Sequence, residues 1–482
     1  MPFWLNFRKY GPAFGILLLY MIADMVLTRR EIYLLNLLPF VLMLIYIALA
    51  RIDLIYFLIV LLTPVSIQFI EFFPSSPVDF AIPTEPLLVG VLILLIYRSI
   101  LGGWLDRRVI NHPVTYSILF YLFWMLLTTL TSVMPLVSVK FLLARIWFIA
   151  VFYLLAVMVF SKNPRNIRVF IWCYTLPMLV VIAFTIYRHI GYGLSDKEAS
   201  HFVMNPFFRD HTSYGAILAM LFFAVGSMIL NRKPGLLNKS MFWGVWMVIG
   251  IALILSYTRA AWVSVFFSAG VLGLTLLKIK FRYILVIGLI AAFYFTGQRT
   301  AIVQKMERNR QTSSATLSEH VQSISNITTD ESNLERINRW NAALRMFEEK
   351  PVFGWGPGTY MFKYAPFQIS AEKTGISTDF GDLGNAHSEY IGPLAESGLL
   401  GSVSFIMVGF FSLLTGFRVY TRIMDKRLKI ITMGLILGLI TYLVHGSLNN
   451  FLDTDKASAL FWGFTAAFVS LDLSLEKLNT QD

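Results

Sequence analysis

The chain has 482 residues, of which 57% are hydrophobic and 14% charged, against about 25% charged in soluble domains. That composition excludes a soluble multidomain enzyme. The formal charge of +12 would point to nucleic acid only if the basic residues shared one surface, and a single cysteine, Cys173, excludes an internal disulfide, a CxxC redox pair or a cysteine-built zinc site.

Arg8 and Lys9 precede the first apolar run and no small-residue cleavage site follows it, so the first helix is expected to be retained. Apolar runs cover 11–27, 31–50, 53–73, 80–97, 114–133, 141–160, 167–187, 211–230, 241–258, 260–277, 281–296, 391–416, 427–446 and 457–473. Each is of the order needed to cross the roughly 30 Å hydrocarbon core at about 1.5 Å per residue. The pattern predicts an all-α polytopic membrane protein of about 12–14 transmembrane helices. Its parts are an N-terminal bundle over 1–296, a large loop over 297–390 containing amphipathic helices, and three C-terminal helices with a short tail over 391–482. With the N-terminus in the cytoplasm, the segments RSILGGWLDRR, SKNPRNIR, NRKPGLLNK, KIKFR and RVYTRIMDKRLK all fall on the cytoplasmic side, as the positive-inside rule requires. Arg29 and Arg30 break the rule, which keeps the lower count open. The loop 297–390 then faces outward with ten Lys/Arg against eleven Asp/Glu, a net of −1. The basic excess is thus a topology signal, and nucleic acid loses its support.

Within that loop, residues 309–331 are rich in Ser, Thr, Asn and Gln and read as a loose segment. In SNLERINRWNAALRMFEEK, Ser332 and Glu335 have capping-box spacing ahead of an apolar face of Leu334, Ile337, Trp340, Asn341, Leu344 and Phe347. At about 100° per residue, Arg336 falls about 80° from the centre of that face and Arg339 about 140° away, so Arg336 is expected to point toward a cleft and Arg339 toward water. A surface ion pair of Arg336 with Glu335 or Asp330 is the competing reading. GWGPGTY lacks the signatures of a phosphate loop or a dinucleotide site and reads as a tight helix-ending turn. NAHSEYIGPLAESGLLG runs into a span, placing His387 at the membrane boundary beside Asn385, Ser388 and Glu389.

Ionisable residues inside spans cost about 2.5–3.5 kcal/mol on insertion scales and usually face a cavity or a partner. Arg145, Arg209, His211, Arg259, Glu85, Glu396 and His445 lie at or near outer ends of spans; snorkelling to the interface is the alternative for each. Arginines gathered at one face suit a phosphate or diphosphate, because a guanidinium donates paired hydrogen bonds and stays charged. A neutral histidine suits removal of a proton from a hydroxyl. Together they suggest group transfer from a lipid-linked pyrophosphate to an alcohol.

His387-Ser388, nine residues, then Gly398-x-x-Gly401 fits an H-[NSQ]-x9-G-x-x-G signature. Ser256-x-Thr258-Arg259-x-Ala261-Trp262 is similar to S-x-S-R-G-A-W, and Arg336-x-x-x-Trp340 followed by KPVFGWGPGTY to an R-x-x-x-W…G-x-G-x-G block. On these motifs, over about residues 205–470, the chain resembles the O-antigen ligase and polymerase superfamily of bacterial envelope glycan transferases. The resemblance implies a GT-C-like glycosyltransferase of the bacterial inner membrane. Its active site would face the periplasm and move a glycan from undecaprenyl pyrophosphate to a hydroxyl acceptor such as lipid A-core, without metal or cofactor. His387 would be the catalytic base, and Arg259 and Arg336 would hold the donor pyrophosphate. Arg145, Arg209, His211, Glu396 and His445 are further candidates. A single displacement would invert the anomeric carbon. A polymerase and a protein O-oligosaccharyltransferase of the same superfamily are the nearest rivals. A lipid-linked glycan transporter is the rival from another class, against which stand the lack of an internal repeat and the clustering of charges toward one face.

Overall fold

The computed structural model describes residues 3–31, 33–76, 79–102, 106–230, 236–279, 283, 286, 290, 331–370, 372–375, 377 and 384–479. Most of the apolar run 281–296, the polar stretch 309–330 and Asp330 lie outside the described residues. The chain forms two compact units, Met1–Tyr56 and Phe57–Asp482. In the first, α1 (Phe3–Thr28) and α2 (Leu38–Ala50) carry exposed Ile16, Leu19, Phe40 and Tyr46, and the Tyr20 hydroxyl donates to the carbonyl of Leu35 (3.3 Å). The boundary falls within α3 (Ile52–Leu62).

The second unit continues with α4 (Thr84–Leu101), α5 (Pro113–Leu130), α6 (Pro135–Lys162), α7 (Arg165–Tyr192), α8 (His211–Ile229), α9 (Leu236–Leu255), α10 (Arg259–Leu276), α11 (Glu331–Glu349), α12 (Gly392–Arg422), α13 (Lys426–His445) and α14 (Asp455–Asn479). Among the described residues nine helices are long and apolar enough to cross a membrane: every one of these from α4 onward except α9 and α11. The chain is an all-α polytopic membrane protein. Apolar side chains such as Phe123, Val180, Phe266 and Phe410 remain exposed on the helix surfaces, as expected where lipid replaces a protein partner. A two-strand antiparallel ribbon, Ile67–Gln68 against Ala81–Ile82, joins α3 to α4.

Helix starts follow ordinary capping chemistry. Proline opens α5 and α6, where its missing N–H costs nothing. Asp210 accepts from the N–H groups of Thr212 and Ser213 (both 2.8 Å) ahead of α8, and Asp425 accepts from Arg427 N (2.7 Å) ahead of α13. α14 is buried almost all round, packing on α6 and α12. Midway along α6 the backbone widens into a π-helical turn over Ala150–Leu155, with Phe152, Tyr153 and Leu155 fully buried against α14.

Two glycine contacts decide how the bundle closes. α12 breaks at Gly398 (φ 68°, ψ −169°), a backbone that L side chains rarely adopt. The groups freed by the break are satisfied by neighbours: Ala395 O accepts from Trp355 N (3.0 Å), Glu396 O from Gly356 N (2.8 Å), Ser397 O from the Trp124 indole (2.8 Å), and Leu399 N donates to Pro351 O (3.0 Å). The GWGPGTY segment therefore does more than end a helix. It completes the broken one. Gly434 and Gly438, four apart on α13, press onto α8; a Cβ at Gly438 would sit 2.8 Å from the Met220 carbonyl oxygen. This close crossing sets the start of α8, His211, beside the end of α13, His445. Gly438→Val should destabilise the bundle by about 1–3 kcal/mol through overpacking, read as a lowered unfolding temperature of the detergent-solubilised protein; an unchanged temperature would mean the crossing tolerates the extra bulk.

Candidate active site

The helix α11 does not present the face expected from its apolar pattern. Leu334, Ile337, Trp340, Leu344 and Phe347 are only half-buried, whereas Glu335, Asn338, Arg339, Ala342, Ala343 and Met346 are buried. Ala343 and Met346 pack with Tyr360, Tyr364, Ala386 and Ala395. Arg339, expected in water, is 7% exposed. Its Nε donates to Glu335 (2.7 Å), a terminal nitrogen donates to Asn385 O (3.2 Å), and its guanidinium lies 5.3 Å from the Tyr364 ring centroid. Glu335 also accepts from Thr374 Oγ1 (3.0 Å), from Asn338 Nδ2 (3.3 Å) and from Ser377. Its carboxylate is thus engaged by side chains, and Ser332 lies within the helix rather than capping it. Glu335 and Arg339 form a buried ion pair, and it holds α11 against the segment that carries His387.

The SYTRAAW segment turns the chain tightly from α9 into α10. Tyr257 takes a left-handed backbone (φ 49°) and donates its hydroxyl to Leu194 O (3.1 Å). Thr258 Oγ1 donates to His211 O (2.7 Å), tying the starts of α8 and α10 together, and the Trp262 indole donates to Leu253 O (2.9 Å). Arg259 becomes the first residue of α10 beside His211, the first residue of α8. Arg259 and Arg336 both lie within charge-interaction range of His211, and Arg336 also within range of His387 and His445. Arg336 is therefore common to three imidazoles contributed by three parts of the chain.

His387 also has a left-handed backbone (φ 49°), fixed by its N–H donating to the Asn385 side chain (3.0 Å). The buried Asn449 side chain lies within reach of the His387 ring and donates Nδ2 to His445 Nε2 (3.1 Å). Burial, followed by the charges of Arg336 and Arg339, pushes the His387 imidazole down to about 3. Glu389 staples the two segments: Oε1 accepts from Tyr442 OH (2.6 Å), Phe451 N (2.8 Å) and Leu452 N (2.9 Å), while its own N–H donates to Gly446 O (2.8 Å).

A cavity of about 710 Å³ opens at the same end of the bundle, within the roughly 300–1,000 Å³ usual for ligand sites. Arg145, Arg209 and Glu396 line it, together with Glu85, Asp453 and several aromatic side chains. Arg145 donates to Leu452 O, Arg209 pairs with Asp79, and Glu396 accepts from Tyr360 N (3.1 Å). Burial raises the Asp453 carboxyl to about 6, with Arg145 opposing the shift. Among the described residues, Arg259, Arg336, His387, His211 and His445 do not line this cavity. They form a neighbouring cluster, and Asn385, Ala386, Ser388 and Glu389, the residues flanking His387, form the wall between. The sequence candidates thus divide into a cationic cluster around Arg336 and a mixed-charge, aromatic cavity next to it.

Residues 243–406 match the family model for O-antigen ligases. No curated protein matches the chain. The ligase match runs from within α9 to within α12 and includes Arg259, Arg336, His387 and both glycines of the G-x-x-G pair. Asn449 lies beyond it, and neither Asn449 nor Glu389 was singled out as a site residue from sequence. The Glu335–Arg339 spacing of four was there to be read as an ion pair, whereas nothing in the HGSLNNF segment distinguishes Asn449 from Asn450.

Two outcomes follow from this geometry. Arg339→Ala leaves Glu335 buried without its partner and should cost about 3–5 kcal/mol of stability, visible in thermal unfolding. Asn449→Ala removes the buried amide that donates to His445 and should cost about 1–3 kcal/mol, again read in thermal unfolding; an unchanged unfolding temperature would mean that this hydrogen bond does not hold the His387 and His445 segments together.

Proposed function

We propose that this protein is a glycan ligase working at the periplasmic face of the bacterial inner membrane, transferring a preassembled glycan from undecaprenyl pyrophosphate to the hydroxyl of a lipid-anchored acceptor. The ligase-family match and the polytopic fold support the coarse reading. The observation that carries the finer one is the convergence of Arg259, Arg336 and His387 around shared neighbours at one end of the bundle. That end is opposite the basic loops expected in the cytoplasm.

In this reading Arg259 and Arg336 hold the diphosphate and stabilise the charge that develops on it as the glycosyl bond breaks. A ring nitrogen of His387 takes the acceptor hydroxyl proton as the oxygen attacks the anomeric carbon; the undecaprenyl diphosphate departs with the bonding electrons, and the anomeric centre inverts. Charge neutralisation is assigned to the arginines rather than to a metal ion. An imidazole titrating near 3 is always available but weakly basic. Donor binding eases this: a diphosphate beside Arg336 offsets the part of the depression that the guanidinium adds to burial, so the base strengthens when the substrate is in place.

His387→Ala should abolish transfer while leaving donor binding largely intact, and Arg259→Ala and Arg336→Ala should weaken both; full transfer by the His387 variant in proteoliposomes would end the base assignment. Arg336→Lys should rescue poorly, because an ammonium cannot reproduce the paired donors. The acidic limb of the rate profile should lie below pH 5 in the wild type, because His387 stays neutral there. Arg336→Gln should move that limb to higher pH, since a like charge is removed. Deletion of the gene should leave long polymer on the carrier lipid; single repeat units there would instead identify a polymerase.

A further inference from the structure

The segment between α7 and α8 brings a second imidazole to the cationic cluster. His201 lies on a short turn over Ala199–His201, and its ring stacks on His211 with centroids 4.2 Å apart and planes 7° from parallel. Around the pair stand Lys197, Arg259 and Arg336 as cations and Glu198 and Asp210 as carboxylates. Asp210 has its Oδ1 engaged by the first turn of α8, accepting from Thr212 N, Ser213 N and the Thr212 hydroxyl. Lys197 thus faces both stacked rings, Arg259 and Arg336 face His211, and Glu198 and Asp210 face His201; each ring gains a full charge on taking up one proton. Two imidazolium ions at stacking distance repel, and the surrounding cations add to that repulsion. Burial, then the charge of Lys197, lowers the proton affinity of His201.

We propose that the His201–His211 pair is part of the diphosphate site, and that it takes up a proton from solvent when the diphosphate binds. The inference rests on the assignment of Arg259 and Arg336 to the diphosphate. A ligand carrying two or more negative charges reverses the local field. The same stacked arrangement that keeps both rings neutral beforehand then allows one to become imidazolium and donate to a phosphoryl oxygen. Arg259 and Arg336 supply fixed charge; the histidine pair supplies charge only when it is needed. The residues also divide by element, because Lys197 and His201 come from the connecting segment while His211, Arg259 and Arg336 come from helices.

Inorganic pyrophosphate is the probe, titrated by calorimetry into the full-length protein in nanodiscs at pH 6 and pH 8. The comparison includes His201→Gln and His201→Phe, the latter retaining a stacking ring that cannot titrate. Wild-type affinity at pH 6 relative to pH 8 should exceed the same ratio in both variants by about tenfold. The protonation of pyrophosphate itself cancels in that comparison. Titrations in buffers of different ionisation enthalpy should show proton uptake in the wild type and less in the variants. Binding that Arg336→Gln weakens, with the same pH ratio in wild type and variants, would overturn the histidine pair's role and leave the arginine assignment standing. No saturable pyrophosphate binding by the wild type would overturn both.

Discussion

The positive charge of Arg336 acts on three imidazoles at once, and the chemistry of the cluster depends on how that charge is balanced. Burial first, and the guanidinium charges beside it second, lower the affinity of His387 for its proton. The cost is low basicity, and in the proposed mechanism an anionic donor offsets the guanidinium's share of it. Affinity for the donor and strength of the base are thereby coupled through one side chain. A lysine at the same position would hold a similar charge, yet without the planar fork it would bind the donor less selectively.

Such a cluster has to be held open against its own repulsion, and the surrounding scaffold does this with stiff, local devices. Left-handed backbone at Tyr257, His387 and Gly398 turns the chain where ordinary helix would carry it onward. The Glu335–Arg339 pair pins α11, the Glu389 carboxylate ties the His387 segment to the residues after α13, and the glycine crossing of α8 and α13 brings two helix ends together. The Glu335–Arg339 and Glu389 contacts satisfy polar groups that burial would otherwise leave without partners. The cation cluster therefore rests on hydrogen bonds and close backbone packing more than on apolar burial.

Much of the fold was legible because lipid imposes a simple requirement: long apolar helices with basic residues gathered at one set of loops. Arg259 and His387 stand out in the sequence because polar groups near a membrane boundary are costly without a reason, and Arg336 because it falls at the edge of its helix's apolar face. The orientation of α11 was not legible. An apolar stripe is expected to face a protein core, but on this helix the small residues Ala342 and Ala343 permit the closest approach to neighbouring segments, and the bulky face is left half-buried. Asn449 and Glu389 escaped notice because their roles are defined by partners some sixty residues away in the chain, Asn449 by His387 and Glu389 by Tyr442, Phe451 and Leu452. Periodicity carries no information about pairings at that separation.

The wide turn in α6 decides which changes of chain length the cavity wall can absorb. A π-helical turn accommodates one residue more than the α-helix around it, so the half bearing Arg145 and the half that packs Phe160 against α14 keep the facing they would have with one residue fewer. Removing a single residue from 150–155 would restore ordinary winding and leave both halves as they are. A residue added between Arg145 and the turn would have nothing to absorb it and would swing Arg145 round by about 100°, out of the cavity with no substitution at Arg145 itself.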